Sequence, residues 1–271
     1  MKFVEKQRTK KEKRGKRNIF QTSFSDFSNL DFKVVSIIIF SVISLILIKY
    51  FGNLHNAADL LKTAGVDNLD QYRNFVVKNQ DIKYVEKIYW SSINIFFFIF
   101  LPIVLIVFVF KQSVLDYGFR NFLKINRTSL KYYFFFLAIV IPLVFIVSQN
   151  EAFQKKYPFY TPSGDDLLWP KFYIWQFFYF LQFVALEFFF RGFILHGLKK
   201  TFGYYSIFIM LIPYVMIHFQ KPLPETFGAI FAGIALGYLS LRNGSIALGI
   251  VLHYSVALCM DILSLYNKGY L

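Results

Sequence analysis

An acid and a base stand four residues apart inside an apolar, aromatic stretch, as Glu187 and Arg191 in ALEFFFRG (185–192). On a helix, residues i and i+4 share a face, so the two side chains are expected to meet. An ionised group at membrane depth costs on the order of 3 to 10 kcal/mol or more, so it normally faces a cavity or a partner. The pair predicts a functional site. The alternative is an ion pair near a helix end, with Arg191 reaching the lipid headgroups.

Further ionisable side chains stand in the apolar segments that follow. His218 ends one segment and Glu225 opens the next, while His253 and Asp261 belong to the last. Singly, each has a simpler interpretation: a histidine at an interface, an acid favoured by a helix dipole, or an acid at the membrane boundary. The joint presence of Glu187, His218 and His253 on three helices of one bundle favours a common site.

Two imidazoles and a carboxylate can activate a water molecule in two ways. Glu187, His218 and His253 could bind a divalent metal such as zinc with one position open for water, or act directly as general base and oxyanion donors. The sequence contains no His-Glu-x-x-His helix, so the metal is predicted from ligand type only. His55 and His196 lie beside polar or basic residues and are assigned no chemistry.

The composition indicates a membrane protein. The chain is 56% hydrophobic, 21% aromatic and only 17% charged, which is too apolar for a soluble domain of 271 residues. Apolar runs of about 20 residues, the length needed to cross a bilayer, recur along most of it. The single cysteine, Cys259, excludes a disulfide within the chain and a thiolate metal cluster.

We therefore expect an all-α transmembrane bundle with about seven spans. The stretch 53–87 is predicted to form short interfacial helices around Leu60, Leu61, Val76, Val77 and Tyr84. The domains expected are a basic tail (1–30), N-terminal membrane helices and loops (31–150), and a functional core (170–266). The predicted spans are 34–48, 91–110, 132–147, 172–198, 204–219, 225–241 and 245–265.

Small residues in the span 225–241 predict close helix packing, which would bring the polar groups together. They are Gly228, Ala229, Ala232, Gly233 and Gly237.

The positive charge is best explained by topology. The 30 Lys and Arg residues against 16 Asp and Glu are concentrated in the first 20 residues and in short loops between apolar runs. By the positive-inside rule, the N-terminus, the loop 111–131 and Lys199-Lys200 are predicted to be cytoplasmic. The tail has no signal-peptide pattern and is expected to be disordered, with anionic lipid as an additional partner. No nucleic acid is expected, because no aromatic-interleaved binding module accompanies the tail.

Three motifs carry a family resemblance over residues 172–265. They are LEFFFR (186–191), YVMIH (214–218) and HYSVA (253–257). They resemble the Glu-Glu-x-x-x-Arg, aromatic-x-x-x-His and His-x-x-x-Asn motifs of the CPBP family of intramembrane proteases, which includes the type II CAAX prenyl proteases and the bacteriocin-processing Abi proteins. The resemblance implies an endopeptidase of the bacterial plasma membrane that hydrolyses a membrane-associated peptide or protein.

The chain departs from the family pattern at two positions. The first acid of the Glu-Glu pair, which is the family's catalytic carboxylate, is Leu186 here, and the Asn that helps to hold the oxyanion is Ala257. One interpretation is a catalytically inactive member that acts as a membrane-binding or immunity protein. The other is that the missing charge is supplied elsewhere, by Glu225 and Asp261.

The second interpretation is favoured by a bacterial branch of the family that resembles this chain. Its features are Glu-Phe-Phe-Phe-Arg-Gly, Lys-Pro-x-x-Glu after the first histidine and Met-Asp after the second, which correspond here to 187–192, 221–225 and 260–261. The resemblance implies Glu187 as general base or metal ligand, oriented by Arg191. It also implies His218 and His253 as metal ligands or oxyanion donors. A small transporter, with acids and histidines relaying protons, is a further alternative, but no internal repeat supports it.

Overall fold

The computed structural model describes residues 29–65, 82–122, 124, 127–161 and 169–271, and the regular elements in these ranges are helices. Most of the predicted basic tail, and the predicted apolar positions Val76 and Val77, lie outside the described residues. In chain order the helices are α1 (Phe32–Phe51), α2 (Leu54–Thr63), α3 (Ile82–Val109), α4 (Arg127–Ser148), α5 (Glu151–Lys156), α6 (Lys171–Phe202), α7 (Tyr205–Met216), α8 (Leu223–Asn243) and α9 (Ala247–Asn267).

The chain divides into two compact units, Met1–Ser36 and Ile37–Leu271. In the first unit the described residues include the start of α1, where the Asp31 side chain caps the helix. Its Oδ1 accepts hydrogen bonds from the backbone N–H groups of Lys33 and Val34 at 2.9 and 3.2 Å. An aspartate in this position satisfies N–H groups that have no partner within the helix.

Six of these helices, α1, α3, α4, α6, α8 and α9, are long and apolar enough to cross a membrane, and α7 is a shorter apolar helix. The prediction of an all-α bundle with about seven spans is confirmed. The largest difference in bounds is in α3, which begins at Ile82 instead of residue 91. Charged residues such as Lys83 and Glu86 lower the hydropathy there, but they are good helix formers and continue the helix.

Helix α6 is the central helix of the bundle. In its most apolar 18-residue window 78% of the residues are buried inside the protein, against at most 39% for the other spans. It packs on α3, α7, α8 and α9. Aromatic side chains make much of this contact; the ring of Phe189, for example, stacks on Phe98 of α3 with centroids 4.4 Å apart. Glu187 and Arg191 are therefore placed in the protein interior, away from lipid.

The backbone of α6 widens where the acid and the base stand. Glu187 is the last residue of its α-helical part, and Phe188–His196 is π-helical. At Gly192 the chain is closely approached, since a Cβ there would lie 2.7 Å from the Phe188 ring and 2.8 Å from the Tyr117 carbonyl oxygen. Wide turns of this kind occur often at functional sites. Hydrophobic periodicity carries no signal for them.

The small residues of α8 allow α7 to pack closely, as predicted, at Gly233 and Gly237. A Cβ at Gly233 would lie 2.5 Å from Leu211 and 3.0 Å from the Tyr214 ring, and one at Gly237 would lie 3.2 Å from Ile207. At Gly228 a Cβ would meet nothing within 4 Å, so no neighbouring segment packs closely on that glycine.

Candidate functional site

Three of the predicted residues are in direct contact in the middle of the bundle. Glu187 Oε1 accepts a hydrogen bond from Arg191 Nη1 at 2.9 Å and lies 2.8 Å from His253 Nδ1. The side chains of Glu187 and Arg191 are 0% and 1% exposed, and that of His253 is 17% exposed. The alternative in which Arg191 reaches the headgroups is therefore wrong, because its guanidinium is enclosed by protein.

Only some of the polar atoms of the Glu187–Arg191 ion pair have hydrogen-bond partners. The Arg191 guanidinium lies over the Tyr214 ring, with Cζ 4.0 Å from the centroid, which is a favourable cation–π geometry. Glu187 Oε2 and Arg191 Nε and Nη2 are buried and have no hydrogen-bond partner among the described residues. Buried polar atoms without partners are rare in proteins and often mark the place of a water molecule or ligand. The free oxygen and nitrogens therefore mark a polar position beside the pair.

His218 lies in the turn after α7, beside Tyr214. Its Nδ1 is 2.8 Å from the Tyr214 carbonyl oxygen, and its ring centroid is 4.9 Å from that of Tyr214. The His253 ring lies 6.3 Å from the same tyrosine ring. Because a carbonyl only accepts, Nδ1 of His218 carries the proton. Burial lowers the pKa of His218 to about 4, so near pH 7 the ring is neutral and Nε2 is a hydrogen-bond acceptor.

Glu225 contacts a segment that precedes α6, residues 149–161, called here the Tyr157 segment. The Tyr157 hydroxyl lies 2.8 and 2.7 Å from the two carboxylate oxygens of Glu225. Lys221 Nζ donates to the tyrosine oxygen at 2.6 Å and pairs with Glu225 at 3.0 Å. Burial is the main cause that raises the pKa of Tyr157 and lowers that of Lys221. The three groups form one compact hydrogen-bonded set.

Asp261 binds the same segment from α9. Its Oδ1 accepts the Phe159 backbone N–H at 3.2 Å, and its Oδ2 accepts the Gln176 side-chain amide at 2.9 Å. None of the hydrogen bonds or ion pairs described for Glu225 and Asp261 reaches Glu187 or the two histidines. The proposal that these acids supply the missing charge gains no direct contact and stays a prediction. Tyr157, Gln176 and Lys221, which bind them, were not among the predicted site residues.

The two positions that depart from the family pattern are both buried. Leu186 is 6% exposed. Ala257 belongs to a buried apolar cluster of α6 and α9 with Trp175, Tyr179 and Phe183.

The arrangement does not fit a metal ion. Within residues 29–65, 82–122, 124, 127–161 and 169–271, no group of three His, Cys, Asp or Glu side chains could hold one. Glu187 and His253 are hydrogen-bonded to each other, and His218 uses Nδ1 on a backbone carbonyl. The zinc predicted from Glu187, His218 and His253 stays a prediction.

A second buried polar group lies toward the other end of α6. His196 Nε2 is 3.1 Å from Ser240 Oγ, and its Nδ1 is 3.0 Å from Lys199 Nζ. Gln176, the partner of Asp261, and His196 lie on the same helix, α6, and are separated by about 30 Å at about 1.5 Å per residue. The cluster joins α6 to α8 and is only 4% and 2% exposed at His196 and Ser240. It therefore links α6 to α8 in the protein interior.

Taken together, the apolar spans and the buried acid, base and imidazoles define an integral membrane protein with a polar site at the centre of its helical bundle. Residues 168–259 match the family model described as type II CAAX prenyl endopeptidase Rce1-like. This match, over about a third of the chain, supports the CPBP/CAAX protease family and confirms the resemblance found in the three motifs. The matched range contains Glu187, Arg191, His218, Glu225 and His253 and ends before Asp261. No curated protein and no solved structure matches the chain.

Proposed function

We propose that this protein is an intramembrane endopeptidase that hydrolyses a peptide bond of a membrane-associated peptide or protein through a water activated at Glu187. One observation carries the proposal: within the segment that matches the family, Glu187 Oε1 is held by Arg191 and His253, while Oε2 is buried and unpartnered. A carboxylate with one oxygen fixed and the other free has the form of a general base.

In the proposed reaction, the water oxygen bonds to the scissile carbonyl carbon and its proton passes to Glu187 Oε2. Arg191 favours the ionised carboxylate, because an adjacent positive charge stabilises it. Collapse of the tetrahedral intermediate breaks the carbon–nitrogen bond, and the proton taken up by Glu187 passes to the leaving amine. The acid thus acts first as base and then as acid.

The two histidines have different roles in this scheme. His253 contacts the carboxylate through Nδ1, so its protonated form would present Nε2–H to the developing oxyanion. His218, neutral with a free acceptor at Nε2, suits a hydrogen bond from the water or the substrate amide. The oxyanion role predicted for His218 would first require its protonation.

The surroundings proposed for the reaction are the bacterial cell membrane, with the N-terminus in the cytoplasm. The support is the distribution of basic residues in the tail, in the loop 111–131 and at Lys199-Lys200. The bilayer and a membrane peptide or protein would be the partners.

A second candidate is a catalytically inactive family member that acts as a membrane-binding or immunity protein. It is favoured by the apolar cluster around Ala257, and by the hydrogen bonds of Glu225 and Asp261 to the Tyr157 segment.

The two candidates are separated by cleavage of a membrane-tethered peptide in liposomes. For an enzyme, His218→Ala and His253→Ala should each lower kcat by at least about 100-fold. The double variant should be scarcely worse, because members of a cooperating set are not additive. His55→Ala is the control, since this half-exposed histidine pairs with Glu86 far along the chain from the site.

A binding protein would give no cleavage in the wild type, and its binding losses would be partial and additive for the two histidines. A chelator-treated wild type is included for the zinc prediction. Loss of cleavage on chelation, restored by zinc, would support the metal, whereas chelator-resistant cleavage that needs both histidines would remove it. Undiminished cleavage in the double variant would overturn the site assignment.

A further inference from the structure

Three lysine side chains from different parts of the chain surround the ring of Phe159 in the Tyr157 segment. The distance from the ring centroid to Nζ is 4.4 Å for Lys221, 5.4 Å for Lys87 and 5.9 Å for Lys156. Lys87 belongs to α3 and Lys156 to α5, while Lys221 precedes α8. Positive charge from three elements is therefore gathered at one place on this end of the bundle.

Two of these cations have no acid within ion-pair distance. Lys221 pairs with Glu225 at 3.0 Å. Among the hydrogen bonds and ion pairs of the described residues, none involves the ammonium group of Lys87 or Lys156. Glu86, which precedes Lys87 in the chain, pairs instead with a histidine of α2. The three ammonium groups lie within electrostatic range of one another and repel each other.

The ring of Phe159 is a weak substitute for an anion. The face of a phenylalanine attracts an ammonium group, but less strongly than a charged oxygen does. An anion bound between Lys87 and Lys156 would form charge-assisted hydrogen bonds and reduce the repulsion between these like charges. Lysine is a common ligand of phosphate groups, so a phosphate anion fits this pair of cations.

The lysines lie where membrane spans begin and end. Lys87 is near the start of α3, and Lys221 is two residues before the start of α8. Lys268 directly follows α9, and its Nζ donates to the Tyr157 carbonyl oxygen at 2.6 Å. Lipid headgroups occupy this level of a bilayer, and basic clusters between membrane helices bind them. Leu223, the first residue of α8, is 70% exposed and extends apolar surface from this level. A lipid is therefore the favoured source of the phosphate.

We propose that Lys87 and Lys156, assisted by the positive charge of Lys221, bind the phosphate of an anionic lipid headgroup. The bound phosphate bridges α3 and α5 and so holds the Tyr157 segment on the bundle. Lys87 and Lys156 are the ligands because their ammonium groups can leave the ring without breaking a hydrogen bond, whereas Lys221 is bound to Tyr157. This role is separate from the proposed peptide hydrolysis and does not depend on it.

The first test is a titration of the purified full-length protein in detergent with phosphatidylglycerol, followed by its thermal unfolding temperature. Phosphatidylcholine, which has no net charge, is titrated in parallel. We expect a saturable rise in the unfolding temperature that is specific to phosphatidylglycerol. Lys87→Gln and Lys156→Gln should each weaken the apparent affinity about fivefold, the effect of one cation near an anionic headgroup. Lys87→Arg and Lys156→Arg keep the charge and should retain the affinity.

Lys83→Gln and Lys155→Gln are the matched controls. They remove the same charge from the same two helices, but Lys83 is exposed and Lys155 pairs with Glu151 at 2.6 Å. Equal losses of affinity in the controls would indicate a general attraction of the basic surface for anionic lipid and would overturn the site. An equal rise with both lipids would do the same. If inorganic phosphate alone reproduced the rise, the source would be free phosphate, and the lipid would be excluded.

Hydrogen exchange of the wild type tests the bridging role without any substitution. A ligand present at about ten times its dissociation constant makes opening of the segment about tenfold rarer. The Phe159 amide, which donates to Asp261, should then exchange about tenfold more slowly with phosphatidylglycerol than with phosphatidylcholine. The Ile246 amide, which donates to the Gly118 carbonyl at the other end, is the internal control and should not change. Equal exchange of Phe159 in the two lipids would overturn the proposal.

Discussion

Arg191 compensates the charge of a carboxylate that is enclosed by protein. Replacing it by leucine leaves Glu187 unpaired in the interior, at a cost of about 3–5 kcal/mol that the acid relieves by taking up a proton. A protonated Glu187 accepts no proton from water. We therefore expect Arg191→Leu to lose cleavage activity and to be present at a reduced level in membranes, measured by immunoblot and peptide assay.

The control for this variant is another arginine in the same i,i+4 relation to an acid. Arg120 pairs with Asp116, but the two side chains are 68% and 49% exposed. Exposed pairs contribute little, so Arg120→Leu should stay within about 1 kcal/mol of wild type. Normal activity and membrane level in Arg191→Leu would contradict the role assigned to the buried pair.

Tyr214 supports the pair through its ring, which stacks on the guanidinium and contacts both histidines. Tyr214→Phe keeps the ring and should retain most of the stability. Tyr214→Leu removes the cation–π contact, which is worth about 2 kcal/mol when desolvated, and leaves a smaller side chain. Thermal unfolding in detergent should rank wild type, Tyr214→Phe and Tyr214→Leu in that order. Equal unfolding temperatures for Phe and Leu would show that the ring does not carry the interaction.

The Tyr157 segment acts at the scale of helices, because it joins the ends of α8 and α9. Tyr157→Phe removes the hydroxyl between Lys221 and Glu225, leaving a buried lysine and an acid with one partner fewer. The expected loss is about 1–3 kcal/mol. Glu225→Gln should give a similar loss, and the double variant should be less than additive because the residues share one hydrogen-bond set. Chemical unfolding in detergent measures all three.

The same variants test the idea that Glu225 replaces the missing family acid. If Glu225 only joins helices, kcat of the folded fraction stays near wild type in Glu225→Gln. A loss of 100-fold or more in a variant of normal stability would instead favour the relocated acid. Asp261→Asn gives the same test for Asp261, which binds the Phe159 backbone. An unchanged kcat of the folded fraction would indicate a purely structural role, and a loss of 100-fold or more at normal stability would favour a catalytic one.

The sequence predicts the elements well where a local pattern decides them. Hydropathy locates the spans because each must be apolar over its own length, and the four-residue spacing predicts the contact of Glu187 with Arg191. The π-helical turns after Glu187 depend on how Phe188 and Gly192 pack against other segments. The contacts of Tyr157 with Glu225 and of Asp261 with Phe159 join residues 68 and 102 positions apart. No local pattern encodes such pairs.

At the scale of the whole molecule, the segments that connect the helices form two separate sets of contacts, one at each end of the helices. Tyr157, Lys221 and Lys268 meet at one end. The backbone of Gly118 meets Ile246 at the other, where His196 also lies. This grouping agrees with a chain that crosses the membrane at each of the predicted spans.

The grouping leads to a labelling prediction for the orientation. In a Cys259→Ser background, a cysteine at Asn56 in α2 should react with an impermeant maleimide added to intact cells. A cysteine at Lys200, which is also exposed, should react only after permeabilisation. Labelling of Lys200→Cys alone in intact cells would mean that the orientation is inverted.

The hydrogen bonds that hold the Tyr157 segment also limit when this part of the protein can fold during synthesis. The backbone hydrogen bonds of Phe159 and Tyr157 to Asp261 and Lys268 can form only after these two residues have been synthesised. They lie 102 and 111 residues further along the chain. Chains are made from the N-terminus, and their parts fold as they emerge. A nascent chain halted after His253 would therefore carry every residue of the proposed reaction, yet its Tyr157 end would be open. Closure of that end is therefore expected only after α9 has been made, and the protease sensitivity of the segment in ribosome-stalled chains should fall only once α9 has been inserted.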